Sequence, residues 1–177
     1  CGTRFLTPDR DVMFERTFRE SPEEATSLLR VDGVTCLRAV THHGSTMFRR
    51  AVYERVGGYR WQFYFAQDVD LWMRLTDHGQ LAFLPEVLYE ATFTPAGISG
   101  RHAAEQIRLG KLIIASRLRR EASRSDDDIL EVAAQIRPSG RREADWRRRR
   151  RQAKGEYFVG QILRGNGNPR CRRYFAA

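Results

Sequence analysis

At 177 residues the chain has the length for one ordinary core, or a small core with an appendage, at roughly 150 residues per domain. Hydrophobic residues make up 41% and charged residues 30%, the balance of a globular domain, and no apolar run approaches the roughly 18 residues that would cross a bilayer. The net charge of +9 is local: 13 Lys or Arg and 3 Asp or Glu lie from Arg137 onward, whereas the 18 basic and 19 acidic residues before it nearly cancel, so the body of the protein is not basic.

In chain order, Gly2-Thr3-Arg4-Phe5 has the character of a strand end, and Ser21 followed by Pro22 reads as the N-cap and first position of a short helix running to Arg30. His43 to Phe48 has strand character, and Arg49 to Val56 predicts a short helix stopped by Gly57 in the left-handed conformation. An aromatic loop, Tyr59 to Ala66, leads into an amphipathic helix whose apolar positions Leu71, Trp72 and Leu75 recur at helical spacing, with Gly79 ending it after His78. Gln80 to Phe93 alternates in the manner of one or two strands broken at Pro85.

The Gly/Pro/Ser joint from Thr94 to Gly100 separates this α/β portion from a helical one. A helix from His102 to about Ala122 can align Ala103, Ile107, Ile114 and Leu118 on one face, and Ser125 or Asp126 caps another that reaches Ile136. Arg137-Pro138-Ser139-Gly140 breaks it. A last long helix is expected from about Arg141, with Trp146, Ala153, Tyr157, Phe158 and Ile162 pointing inward and Arg147 to Arg151 wrapping the outside.

Cysteines at 1, 36 and 171 are odd in number, widely spaced and without CxxC or Cys/His clustering, which argues against a disulfide framework and a zinc site and fits a reducing cytoplasm. The opening Cys1 to Leu6 carries neither the basic nor the apolar region of a signal peptide, and the expectation is a fragment of a longer protein.

Two aspartates, Asp68 and Asp70, open the helix that Gly79 ends, and helix geometry gives them different surroundings. Asp70 lies four residues before Arg74 and can pair with it across one turn. Asp68 shares a side with Leu71, Trp72 and Leu75, so its carboxylate faces the interior or a cleft. There it serves either as a cap of the first turn or as a base beside a substrate hydroxyl, and spacing leaves both open. His42-His43-Gly44-Ser45 reads as an ordinary loop in which Gly44 would let a ligand approach the backbone. No P-loop, GxGxxG, metal-ligand spacing or Ser/His/Asp order is present.

Taken as one ordered string, His43-Gly44-Ser45, Met47 to Arg50, Val56 to Tyr59, Gln67 to Trp72, Arg74-Leu75, and Leu84 to Glu86 with Leu88-Tyr89 resemble the second half of a family 2 glycosyltransferase catalytic domain of the inverting GT-A type. The resemblance spans about 50 residues and implies a fold class: an α/β, incomplete GT-A (Rossmann-like) domain lacking its N-terminal nucleotide-binding half over 1–99, followed by an all-helical extension with a basic helix over 100–177. It implies transfer of a sugar from a nucleotide-sugar donor to a glycan or other acceptor hydroxyl, in bacterial polysaccharide or glycan synthesis. In the family pattern the Asp at position 68 is the general base, with His43, Gly44, Gln67 and Trp61 as lining of the acceptor or sugar pocket.

Three features depart from the family pattern. Gln67 stands where the family usually has Glu, and Thr92 and Thr94 replace an Arg and a His of the final strand. Nothing resembles the D-x-D that holds Mg²⁺ or Mn²⁺ against the donor diphosphate, so the metal is expected only in a longer enzyme and this chain alone is expected to be inactive. The basic helix invites an anionic membrane surface, at the inner face of a membrane, or an acidic carrier as partner. A reading from another class is a non-catalytic interaction or nucleic-acid-binding module built on the Arg-rich helix, although the neutral body makes nucleic acid the less expected partner.

Overall fold

The computed structural model describes residues 1–31, 42–94, 97–138 and 144–176. Cys36, Pro95 and Ala96 of the joint, Ser139-Gly140 and the expected helix start at Arg141 lie outside the described residues. The first two strands, β1 (Gly2–Leu6) and β2 (Val12–Arg16), form an antiparallel hairpin with Thr3 opposite Arg16 and Phe5 opposite Phe14. Its turn is closed by Thr7, whose N–H donates to the Asp11 carbonyl at 2.9 Å and whose hydroxyl accepts from the Asp11 N–H at 3.0 Å. β3 (Val87–Thr92) joins the other side of β1 in parallel, giving a three-stranded mixed sheet of order β2-β1-β3. A parallel neighbour requires a crossover, and the intervening helices supply it.

The first of these, α1 (Pro22–Val31), starts with a capping box: the Ser21 hydroxyl accepts from the Glu24 N–H at 3.2 Å while the Glu24 carboxylate accepts from the Ser21 N–H at 2.9 Å. α2 (Arg50–Arg55) stops at Gly57 and Gly58, both at positive φ, as the paired glycines predict. α3 (Gln67–Leu75) then carries the two aspartates.

One strand assignment fails, and of the one or two strands expected from Gln80 to Phe93 a single one forms. His43–Ser45 is a 3₁₀ turn, because the His42 carbonyl accepts from the Ser45 N–H at 3.0 Å and from the Ser45 and Thr46 hydroxyls at 2.8 and 3.2 Å, a local network that competes with any ladder. Gln80 to Pro85 is irregular rather than a first strand: the Leu81 N–H is taken by the Thr26 hydroxyl at 2.8 Å and Phe83 stacks on Phe18, so only the part after Pro85 enters the sheet. α3 also ends earlier than expected, at Leu75, with Gly79 outside the helix.

The remaining helices are α4 (Ile98–Arg101), α5 (Ala103–Glu121), α6 (Asp127–Ala134), α7 (Asp145–Gly165) and α8 (Cys171–Phe175). The buried face of α5 is Leu109, Gly110, Ile113 and Ser116; Ile107 and Leu118 are exposed, which corrects the expected stripe. In α7 the buried residues are Val159, Gly160 and Leu163, whereas Trp146, Tyr157 and Phe158 are exposed. Both helices carry apolar residues around their circumference, so the partner surface rather than the period chooses the face.

Two cores result. One joins Leu29, Phe63, Val69, Trp72 and Met73 to Leu109, Ile113, Ala133 and Ile136; the other seats Val159 and Leu163 of α7 on Met13 of β2, with Phe5, Phe14 and Phe93 around them. The composition boundary near residue 100 is therefore crossed by both cores.

Candidate functional site

The site is built on a buried ionic scaffold in the first turns of α3. Arg74 donates to Asp70 through Nε at 3.0 Å and Nη2 at 2.7 Å, and its guanidinium also reaches the carbonyls of Val56 and Gly58 at 2.5 and 2.7 Å. The glycine turn after α2 is thus tied to α3 by one side chain. Arg60, from the next loop, approaches Asp70 from the other side through Nε and Nη2, donates to Asp126 at 2.8 Å and to the Ser116 hydroxyl at 2.9 Å, and lies over the Phe63 ring at 4.9 Å. Burial disfavours the charge on Arg60, but the Asp70 and Asp126 carboxylates more than offset it, and the guanidinium is held more tightly protonated than usual.

Asp68, two residues before Asp70, is outside this network. Its Oδ1 accepts from the Val69 N–H at 2.9 Å, satisfying one free donor of the first helical turn, and among the described residues Oδ2 accepts no hydrogen bond. The carboxylate borders a cavity of about 630 Å³. One wall is His43 and Tyr59, hydrogen-bonded to each other through Nε2 and the phenol, with Gln67 beside them. A further part of the lining is Phe65 stacked on His102 at 4.2 Å, with Tyr64, Ile98, Gln106 and Pro138 completing it.

The titratable groups around Asp68 respond to it. Tyr59 is raised above the ordinary phenol value, by burial first and then by Tyr53 and the Asp68 charge, so its hydroxyl stays protonated at neutral pH. His42, behind the cavity against Tyr89 and Phe5, is pushed below the usual imidazole range by burial, with Asp68 opposing and Arg16 reinforcing that direction. Apolar and aromatic walls with a few convergent polar groups are the ordinary make-up of a small-molecule site.

Of the residues singled out in the sequence, the structure brings Asp68, His43 and Gln67 together at this cavity. Gln67 donates to the Tyr64 carbonyl at 3.3 Å, which folds its amide back over the aromatic loop. Gly44 and Trp61 fall outside the lining. The space a Cβ on Gly44 would need is filled by the Tyr89 ring, 2.7 to 2.8 Å away, so the glycine admits a side chain of β3 and not a ligand. Trp61 is 64% exposed and is covered on one side by Arg137, whose guanidinium lies 5.0 Å from the Trp61 ring and 5.4 Å from that of Tyr64.

Sequence reasoning missed His102, Gln106 and Pro138, because they come from beyond residue 100, the first two at the start of α5 and the third after α6, and reach the cavity only through tertiary packing. The aromatic density of residues 59–65 was the one available signal for Tyr59, Tyr64 and Phe65.

Among the described residues no three or more His, Cys, Asp or Glu side chains converge as metal ligands, so a donor set for Mg²⁺ or Mn²⁺ is not found among them. No helix among them is long and apolar enough to cross a membrane. Comparison with protein-family models, with curated proteins and with solved structures found no match.

Proposed function

We propose that this chain forms the acceptor-side part of an inverting glycosyltransferase, with Asp68 as the general base and the cavity beside it as the acceptor pocket. The observation that carries the reading is the division of labour between neighbouring carboxylates. Asp70 is consumed by two arginines, while Asp68 keeps an oxygen free at the mouth of an aromatic-walled cavity. The half-exposed phenol ring of Tyr64 offers a face to the C–H side of a sugar, and Gln106, Tyr59 and His43 offer hydrogen bonds to its hydroxyls.

In this reading the acceptor O–H donates to Asp68 Oδ2 and transfers its proton there as the oxygen attacks the anomeric carbon. The bond from that carbon to the nucleoside diphosphate breaks on the opposite face, and configuration inverts. The electron pair of the broken bond leaves with the diphosphate. Only the acceptor side of this step is assigned to this chain, and the enzyme to assay is the product of its complete reading frame.

The test is glycosyl transfer from labelled UDP- or GDP-sugars by the protein expressed from that complete reading frame. Asp68→Asn is isosteric and should lower kcat by about 10²–10⁴-fold while donor KM and far-UV dichroism stay as in the parent. Undiminished kcat in the folded variant rules Asp68 out as the base. Absence of transfer with every nucleotide-sugar overturns the reading as a whole.

A further inference from the structure

A second cavity, of about 430 Å³, lies between α4 and the N-terminal half of α7 and is lined by Gly100, Arg101, Trp146 and cationic side chains of α7. The five consecutive arginines from 147 to 151 do not contribute equally to it. Helical geometry places Arg147, Arg150, Arg151 and Lys154 at offsets of three, four and seven on one stripe, and these line the cavity. Arg148 leaves the stripe and pairs with Asp145 at 3.1 Å.

Among the described residues no carboxylate belongs to the lining, and Arg101, Arg147, Arg150 and Lys154 have none within ion-pair distance. Like charges at three- and four-residue spacing repel, and a helix gains nothing from them by itself. Arg147 is also oriented, its guanidinium lying 5.2 Å from the centre of the Trp146 ring, which leaves the fork edge for a ligand. Arg101 approaches from a different element, so cations face the cavity from two sides.

We propose that this cavity is a binding site for a phosphoryl group carrying two or more negative charges, a diphosphate being the chemistry that fits best. Guanidinium forks pair bidentately with phosphate oxygens, and a tetrahedral group with several terminal oxygens engages cations from two elements at once in a way that one planar carboxylate does not. The site stands on the α7 stripe and Arg101 alone, and does not depend on the role of Asp68. Its ligand is either a soluble diphosphate or the headgroup of an anionic lipid.

The experiment is calorimetric titration of the protein with inorganic pyrophosphate, for the parent, Arg147→Gln, Arg150→Gln and Arg148→Gln. All three are exposed substitutions that keep good helix propensity, and dichroism verifies the fold. The parent binds pyrophosphate, Arg147→Gln and Arg150→Gln each weaken it by about tenfold, and Arg148→Gln leaves it within about twofold.

Loss of affinity in Arg148→Gln equal to that in Arg147→Gln makes the effect one of diffuse charge and overturns the site, as does a parent that binds no pyrophosphate. Flotation with phosphatidylcholine vesicles, with and without phosphatidic acid, whose phosphomonoester can carry two charges, separates the sources. Vesicle binding that pyrophosphate displaces assigns the site to a lipid headgroup, pyrophosphate binding without vesicle binding assigns it to a soluble ligand, and vesicle or RNA binding that pyrophosphate does not displace overturns the proposal.

Discussion

Arg74 holds Asp70 with two donors, Nε at 3.0 Å and Nη2 at 2.7 Å, at a place where the side chains are 6% and 1% exposed. A buried pair of this kind is weak evidence for net stability but a strong constraint once made, because removing one partner strands the other. Asp70→Asn leaves Arg74 without a carboxylate partner and Arg60 with Asp126 alone, and is expected to cost about 3–5 kcal/mol in urea denaturation. Replacing the i,i+4 pair together, as Asp70→Leu with Arg74→Met, should cost less than the single change, since less charge is left without a counterion.

The neighbouring aspartate should behave differently. Asp68 has one backbone hydrogen bond and an otherwise open carboxylate, so Asp68→Asn is expected to change stability by less than about 1 kcal/mol. The same urea titration checks both. A large loss on Asp68→Asn would mark a structural role that the geometry does not provide.

Asp126 links the scaffold to acid stability. Its carboxyl is partly buried, which alone would raise its pKa, but the Ser116 hydroxyl and the Arg60 guanidinium overcome that and hold it below the ordinary value of 3.8. A depressed folded pKa means the unfolded chain binds the proton first as pH falls. The stabilisation is therefore complete well above the ordinary value and drains away as pH drops through it toward the folded pKa. Urea midpoints should decline below about pH 4, and Asp126→Asn should flatten that decline while lowering the midpoint at neutral pH.

Gly44→Ala tests the contact with β3. The added Cβ would lie 2.7 Å from the Tyr89 hydroxyl and 2.8 Å from two of its ring carbons, so the ring must move, at a cost of about 1–3 kcal/mol. Tyr89→Ala should suppress the penalty in the double variant, because it empties the space. A double variant as destabilised as the sum of the two singles would place the strain elsewhere.

Much of the local architecture is legible in the chain. The capping box at Ser21 and Glu24, the stop at Gly57 and the Asp70–Arg74 pair are short-range chemistry, set by residues within four positions of each other. Arg60 is not legible in that way. It meets Asp70 across 10 positions and Asp126 across 66, and no periodicity announces such a hub. The same limit explains α5, where Ile107 and Leu118 form as good a helical stripe as Leu109 and Ile113, and only the position of Phe63 and Trp72 decides which is buried. The cavity follows suit: its Asp68 wall is readable from one helix, and its His102 wall is not.

The second core has a consequence in time. Met13 is 1% exposed only because Val159 and Leu163 cover it, and the Asn166 amide reaches the Met13 carbonyl at 2.6 Å across 153 positions. A ribosome delivers residues in order, so the β1–β2 hairpin emerges early and waits with its apolar face in water until α7 exists, an interval of about 8–30 s at the usual pace of synthesis. The core around Phe63 and Trp72 needs nothing beyond Ile136 and can close first. Of the two cores the middle one can therefore close first, and the β1–β2 hairpin stays open longer to chaperones, proteases and other nascent chains.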